Sequence, residues 1–317
     1  MCCGMSHPRM SIPGATYLVT RTTVMSLYLL KPSATVNQIM EYCIAWAARG
    51  RGVVIHAVSV ESNHFHMVLT DTQGTLSEFM QELNRCAARC LIQHYRTQFP
   101  KRRLETVWTN AQSFSATLLL TPNAILDKLV YTLTNPVNDG LVRDYRKWPG
   151  FNTRPSDWRD PMRTVQRPSV YFKKTPEALT YSIAPPTQLG GPLVLEQIIA
   201  AVELQIRDAQ ERAAANLAAQ RRSTLGVNAV LAVDPFSAPT TPRPSGNLNP
   251  HLAAGGDREA LSIAKQALKL FRIAYRAAWQ DFKRNAAAVF PGGTLLMRLR
   301  FGQPCIALDA CWCATAT

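Results

Sequence analysis

The sequence predicts an α+β fold in which helices cover one face of an antiparallel sheet. Segments rich in Val, Thr and Tyr alternate with segments of helical periodicity along the first 150 residues. Two of the strand-like segments are separated only by the short turn at 61–63, which predicts a hairpin. Hydrophobic residues make up 47% of the chain, enough for a buried core.

Seven elements are predicted in the first 150 residues, in the order strand, helix, strand, strand, helix, strand, helix. Gly50 and Gly52 end the first helix, and Thr121 with Pro122 begins the last one. That last helix is expected to end before Pro136, because the residue preceding a proline resists the helical conformation. The predicted bounds are 13–30, 36–49, 53–60, 64–70, 75 onward, 104–109 and 121–135.

The composition changes after residue 149. Residues 150–190 are rich in Pro, Trp and Arg, and helical periodicity returns at 193–222 and 258–285. Residues 227–256 are predicted to be a loop, and 290–302 a terminal hairpin or strand. We therefore predict three units: a domain at 8–150, a connecting arm at 151–192, and a mainly helical, basic C-terminal region at 193–317.

The charge balance favours a polyanionic partner. The chain carries 35 Lys and Arg against 21 Asp and Glu, a formal net charge of +14. Such a balance is typical of proteins that bind nucleic acid or an anionic membrane surface. No apolar run reaches the roughly 18 residues of a membrane span, so we expect no membrane partner.

The cysteines and the N-terminal sequence predict a cytoplasmic protein. No two cysteine pairs repeat the CxxC spacing of a zinc site, and the first ten residues lack the apolar run of a signal peptide. Free thiols in a reducing compartment fit this pattern best. The eight cysteines are Cys2, Cys3, Cys43, Cys86, Cys90, Cys305, Cys311 and Cys313.

Two histidines form the strongest local signal for chemistry. His64 and His66 are two apart in a predicted strand, so both side chains point to the same face. Two imidazoles on one face of a rigid strand can chelate a divalent cation. The alternative is a pair of ordinary surface histidines. His56, in an apolar strand, is predicted to be a core residue.

A tyrosine on the last predicted helix of the domain is the second signal. Tyr131 lies off the apolar stripe of that helix, where packing gives it no role. Asn135 lies one turn further on and can approach the tyrosine hydroxyl. The alternatives are a surface tyrosine and a helix-terminal asparagine. The apolar stripe consists of Ile125, Leu126, Leu129, Val130 and Leu133.

Together these motifs resemble a known family. The segment VSVESNHFHMVLT followed by LVYTLTNPVNDGLV is similar to the insertion-sequence-type single-tyrosine transposases, above all the REP-associated tyrosine transposases. These belong to the HUH (His–hydrophobic–His) nucleases. The segment PGATYLVTR also resembles their first strand. The resemblance covers about residues 8–150 and implies a ferredoxin-like sheet of the HUH nuclease fold.

The resemblance implies a role for each matching residue. His64 and His66 would hold a divalent metal, Mg²⁺ or Mn²⁺, with Asn135 as a third ligand. Tyr131 would attack the scissile phosphate of single-stranded DNA and form a 5′-phosphotyrosine intermediate. The implied activity is that of a DNA endonuclease and strand transferase acting on a hairpin-containing substrate, as a monomer or homodimer.

Basic and aromatic residues near these motifs are candidate DNA contacts. A solvated surface is the alternative for each cation. Trp108 matches a family segment only in part, because the arginine expected after it is missing. The predicted DNA-binding residues are Lys101, Arg102, Arg103, Trp108, Lys128, Arg146 and Lys147.

Two other functions stay open. A DNA-binding derivative of such a transposase that has lost catalysis would keep the charge without the chemistry. An unrelated metal hydrolase would use the histidine pair with water as the nucleophile. The helix at 258–285 also carries a basic stripe beside its apolar one, which either meets DNA or is simply solvated.

Overall fold

A computed structural model describes residues 8–109, 114–190, 193–240 and 251–307. Cys2, Cys3, Cys311 and Cys313 lie outside these ranges. The strands are β1 (Ala15–Thr22), β2 (Val53–Val60), β3 (His64–Asp71), β4 (Ser115–Leu119), β5 (Met162–Gln166), β6 (Ala178–Ser182) and β7 (Leu252–Ala253). The helices are α1 (Ala34–Ala48), α2 (Leu76–Gln98), α3 (Pro122–Asn138), α4 (Leu195–Ala219), α5 (Val227–Ala232), α6 (Arg258–Lys283) and α7 (Leu295–Phe301).

The main sheet has the strand order β2-β3-β1-β4-β7. The first four strands are antiparallel, and β7 adds to β4 in the parallel direction. In the β1–β3 pair, Thr20 lies opposite His66 and Thr22 lies opposite His64. The predicted α+β class is confirmed, and the hairpin of β2 and β3 lies where the sequence predicts it.

Helices cover both faces of this sheet, which corrects the expectation of a single covered face. On one face, Phe65 of β3 packs on Trp108, whose indole nitrogen donates to the Asn84 carbonyl of α2 at 2.8 Å. On the other face, the His66 ring lies 5.1 Å from the ring of Tyr131 on α3. The reason is that β3 is buried on both faces, and a strand buried on both faces needs cover on both.

Two element bounds differ from the prediction. The segment 104–109 forms only an isolated bridge from Trp108 to Thr23, because β4 occupies the pairing edge of β1 from Thr16 to Thr20. Helix α3 continues through Pro136 to Asn138. A proline this close to the helix end removes a single backbone donor, which the helix tolerates.

The C-terminal region also departs from the prediction. The segment 290–302 contains helix α7 in place of a strand, and Met297 of α7 belongs to a small buried cluster with Phe290. The predicted loop at 227–256 contains α5 and β7 in its described part. Helix α7 and strand β7 were missed because their contacts with α6 and β4 arise only in the folded chain.

Later elements pack onto the first domain. Helix α4 lies along α3, and the β5–β6 hairpin packs on α1. The Thr121 hydroxyl donates to the Ala254 carbonyl at 2.9 Å, which ties the start of α3 to the segment after β7. The three-unit division stays a prediction. In the described part of the chain, no helix has the length and apolar character needed to cross a membrane.

His56 is a core residue, as predicted. Its Nδ1 donates to the Ala184 carbonyl at 2.6 Å and its Nε2 accepts from the Thr70 hydroxyl at 2.7 Å. The direction of both hydrogen bonds follows because a carbonyl oxygen only accepts, so the proton of the neutral ring lies on Nδ1 and Nε2 is left as an acceptor. Burial lowers the pKa of His56 to about 4, so the folded protein holds this ring neutral.

We predict that His56 makes the protein less stable in mild acid. Below pH ~6.5 the unfolded chain protonates this ring and the folded chain does not, so the free energy of unfolding falls as the pH drops towards 4. The free energy of unfolding should fall by about 3 kcal/mol, and the His56→Gln variant should not show this decrease. Urea unfolding of both proteins from pH 7 to 4 measures the difference, and parallel curves would contradict it.

Candidate functional site

The candidate site begins at the turn between β2 and β3. The backbone N–H of Glu61 donates to the His64 carbonyl at 2.8 Å, which closes the turn and directs the Glu61 side chain inward. Glu61 is only 2% exposed, and both histidines of the motif are buried. A carboxylate is buried only when it has partners, so Glu61 belongs to the site. By its position in the sequence, Glu61 is predicted only to be a turn residue.

A hydrogen bond to the neighbouring residue sets the tautomer of the His64 ring. The Asn63 amide nitrogen donates to the Ser26 carbonyl at 3.3 Å, which leaves its Oδ1 to accept from His64 Nδ1 at 2.8 Å. The proton of a neutral His64 ring therefore lies on Nδ1, and Nε2 keeps its lone pair. Nε2 faces the Glu61 carboxylate at 3.9 Å. This is how a second-layer residue prepares a histidine for a metal.

His66 is held from the neighbouring strand. Its Nδ1 lies 2.8 Å from the Thr20 hydroxyl on β1, the residue directly opposite in the register. Its ring meets the His64 ring edge to face, with centroids 4.8 Å apart. Both histidine side chains therefore project to the same face of β3, as their spacing predicts. The His66 ring also packs against the Tyr131 ring, with centroids 5.1 Å apart.

Helix α3 brings Tyr131 and Asn135 to the same place. Tyr131 is 38% exposed, so its hydroxyl can meet a macromolecule, whereas Asn135 is 3% exposed. The Asn135 amide nitrogen donates to Glu61 Oε1 and lies 3.2 Å from His64 Nε2. In this rotamer the amide turns its nitrogen to the histidine. Metal ligation through Asn135 Oδ1 requires a 180° turn of the amide.

A carboxylate at the end of α3 completes the set of donors. Donor atoms of Glu61, His64 and Asp139 lie within 4.8 Å of one another. Asp139 caps α3 one turn beyond Asn135, and it is exposed. Neither carboxylate is among the site residues predicted from the sequence. The sequence pattern that could have identified them is an acidic residue three positions before the histidine pair and a second acidic residue eight positions after the tyrosine.

A groove lies beside the tyrosine, between α3 and α4. Its volume is about 300 Å³ and its polar lining includes Asn138, Gln205 and Arg212. Lys128 lies one turn before Tyr131, with its ammonium 5.3 Å from the ring centroid. The groove therefore gives the tyrosine an open approach with a partly polar lining.

The predicted DNA-binding residues are dispersed. Lys128 lies beside Tyr131, and Lys101 and Lys147 are exposed elsewhere. Three arginines pair with carboxylates: Arg102 with Asp234 at 3.0 Å, Arg103 with Glu105 at 3.1 Å and Arg146 with Asp144 at 3.0 Å.

The position of Trp108 argues against its predicted role. Trp108 is 5% exposed and lies between Phe65 and the guanidinium of Arg21. A buried indole has no free face on which a base could stack. Trp108 is therefore a core residue that covers the α2 side of the sheet.

Comparison with known proteins gives structural matches only. No protein-family model and no curated protein matches the chain. A solved structure described as a REP-associated tyrosine transposase bound to a REP hairpin is similar over 54% of this chain and 94% of its own, at 21% identity and a TM-score of 0.40. A protein from Deinococcus radiodurans R1, named as a candidate transposase, covers 37% of this chain and 84% of its own, at 17% identity and a TM-score of 0.26.

Both solved structures carry names that include the word transposase, the class that the motifs resemble. At such identities and TM-scores, the activity of neither protein transfers to this chain. What the chain can do follows from its own residues.

We predict that the neutral His64 ring is a pure Nδ1–H tautomer. Removing the acceptor in Asn63→Ala should allow both tautomers, because only the 3.2 Å contact of the Asn135 amide nitrogen with Nε2 then favours the proton on Nδ1. Long-range ¹⁵N–¹H correlation spectra of the imidazole rings measure this directly. Thr20→Val is the matched control, since it changes the partner of His66 and leaves that of His64. A His64 ring already mixed in the unsubstituted protein would contradict the prediction.

Proposed function

We propose that the chain is a transposase-like, metal-dependent endonuclease and strand transferase for single-stranded DNA, with Tyr131 as the nucleophile. One observation carries the proposal. An exposed tyrosine ring lies 5.1 Å from His66, in a cluster where Asn135 and Glu61 contact His64. A tyrosine beside a set of metal-ligating side chains is the arrangement that covalent attack on a phosphodiester needs.

The donor set fits a divalent metal. Two imidazole nitrogens with carboxylate and amide oxygens suit Mg²⁺ or Mn²⁺, and Mn²⁺ accepts nitrogen more readily. His64 and His66 would hold the ion, with Glu61, Asn135 or Asp139 supplying oxygen. Once bound, such an ion polarises the scissile phosphate and offsets its developing negative charge.

The covalent step conserves the energy of the phosphodiester bond. The Tyr131 phenol oxygen bonds to phosphorus and loses its proton to solvent. The bond from phosphorus to the 3′ oxygen breaks, and that oxygen takes up a proton as a free 3′-hydroxyl. The 5′ side stays attached as a phosphotyrosine. A second strand's 3′-hydroxyl reverses these bond changes, which joins the DNA and restores the tyrosine.

The side chains around Tyr131 support this role by position. His66 packs on one side of the phenol ring, and the Lys128 ammonium lies near its face. A cation within this distance attracts a phosphate. The groove between α3 and α4 offers room for a nucleotide next to the reacting oxygen. We propose a hairpin-containing DNA as the substrate, and a monomer or homodimer as the active form.

A catalytically inactive DNA-binding derivative is the second candidate. The observation that favours it is the Asn135 amide, which turns its nitrogen towards His64 and hydrogen-bonds Glu61. Such a contact satisfies the buried Glu61 carboxylate without any ion. The two candidates differ in one property: only the enzyme forms a covalent adduct with DNA.

We predict that the protein forms a covalent adduct with single-stranded hairpin oligonucleotides in Mn²⁺ and that Tyr131→Phe abolishes it. Without the phenol oxygen no phosphotyrosine forms, so the loss should exceed 100-fold. Denaturing gel electrophoresis with labelled DNA measures the adduct. Tyr171→Phe is the matched control. The exposed fraction of Tyr171, 40%, is nearly that of Tyr131, 38%, and Tyr171 lies outside the site.

The outcomes of this experiment separate the candidates. An adduct that persists in Tyr131→Phe excludes this nucleophile. Cleavage without adduct that survives Tyr131→Phe indicates a hydrolase that uses water. Binding without cleavage across metals and hairpins indicates the inactive derivative.

We also predict that Mn²⁺ binding depends on His64. His64→Ala removes the nitrogen that faces Glu61 and should weaken binding at least 100-fold, measured by isothermal titration calorimetry. Glu61→Gln removes a charged oxygen donor and should weaken it about 10- to 100-fold. His94→Gln is the control, since His94 lies on α2, across the sheet from the site. Equal affinities in all four proteins would exclude this metal site.

A further inference from the structure

A second groove lies between α6 and the edge strand β7, and the residues that line it belong to the C-terminal part of the sequence. Its volume is about 640 Å³. Four cations line it, namely Lys265, Lys269, Arg272 and Arg276, and Leu252 and Leu268 belong to its apolar part. We call it the α6 groove.

The four cations form one row. They are spaced by four, three and four residues, so they share a helix face about 16 Å long. Helix α6 carries six cationic side chains against two carboxylates. Like charges at this spacing repel one another, so the row costs free energy unless an anion is present.

Among the residues that the structure describes, no carboxylate neutralises this row. Across 8–109, 114–190, 193–240 and 251–307, none lies within ion-pair distance of the four side chains. The Nε–H of Arg272 is buried and donates no hydrogen bond to any residue in the same ranges. By contrast, Arg102, Arg103 and Arg146 each have a carboxylate partner. The row in the α6 groove is therefore a cationic surface available to a ligand.

We propose that the α6 groove binds the phosphate backbone of DNA, independently of base sequence and outside the Tyr131 site. One DNA strand presents a phosphate every ~3.4 Å, so a row of ~16 Å passes about five of them. Lysine and arginine without carboxylate partners are the residues that release counterions from such a backbone. The apolar part of the groove offers contact to the sugars. This site adds to the proposed function and rests on it only for the choice of DNA as the polyanion.

A nucleic acid fits the groove better than a membrane surface does. A helix lying on a bilayer needs its apolar stripe free to enter the lipid. In α6 Ala264, Phe271 and Ala278 are buried, and the large apolar side chains that stay exposed are Ile263, Leu270 and Ile273. The cations instead line a concave groove, which matches a rod-shaped polyanion.

The position of the groove suits a DNA molecule that also reaches Tyr131. Its residue Leu252 lies on β7, and β7 is separated from β3 by β1 and β4. At ~4.8 Å per strand spacing, β7 lies roughly 14 Å from the histidine strand. A strand of DNA crosses that distance within a few nucleotides, so one substrate can occupy both places.

The test measures how DNA binding depends on salt. The groove variant carries Lys265→Gln, Lys269→Gln, Arg272→Gln and Arg276→Gln. The control variant carries Arg221→Gln, Arg222→Gln, Arg298→Gln and Arg300→Gln, four exposed cations outside the groove, and so loses the same charge. Fluorescence anisotropy with a labelled hairpin oligonucleotide in EDTA gives the affinity between 50 and 300 mM KCl. Circular dichroism melting establishes that both variants are folded.

The groove variant should lose at least 30-fold in affinity at low salt. The slope of log K against log[salt] should become shallower by about 3 for a single-stranded contact or about 4 for a duplex contact. The control variant should change the slope by less than 1. Equal slopes in the two variants would overturn the proposal. So would unchanged DNA binding with lost binding to vesicles of phosphatidylserine and phosphatidylcholine, which would identify a membrane surface.

This result is independent of the chemistry at Tyr131. Binding in EDTA needs neither metal nor cleavage, so the absence of a covalent adduct leaves the groove proposal standing. Conversely, an adduct that forms normally while both variants keep the same salt dependence refutes the groove and leaves the proposed function standing.

Discussion

The packing of α3 across the histidine face of β3 is the constraint on which the site depends. It joins two segments about 70 residues apart through one buried contact, in which Asn135 reaches both Glu61 and His64. A buried carboxylate left without that donor would cost about 1–3 kcal/mol or more. The same packing fixes Tyr131 one helical turn before Asn135, beside His66 and at the protein surface.

The strands around the histidines add a second level of order. Thr20 meets His66 because the β1–β3 register places them opposite one another, and Asn63 meets His64 because the turn folds back on the segment at Ser26. Both imidazoles are thereby oriented before any ligand arrives. Preorganisation of this kind lowers the ordering cost of binding an ion or a phosphate.

The sequence predicts this site better than it predicts its surroundings. Strand alternation and helical periodicity are local, so the shared face of His64 and His66 and the exposed position of Tyr131 follow from spacing alone. Glu61 and Asp139 were missed because only the three-dimensional approach of the turn to the end of α3 brings them together. Trp108 and the strand β4 were misjudged for a similar reason, since the pairing edge of β1 decides which segment joins the sheet. The C-terminal helix α7 depends on burial against α6, which no local pattern records.

The central claim is that the phenol oxygen of Tyr131, beside the histidine pair, is the atom that bonds to DNA. Mapping the attachment site by mass spectrometry tests it most directly. After reaction with a hairpin oligonucleotide in Mn²⁺ and digestion with nuclease and trypsin, the nucleotide mass should lie on the peptide 129–143, whose single tyrosine is Tyr131. A nucleotide attached to any other peptide, or DNA cleaved with no peptide modified, would contradict the account.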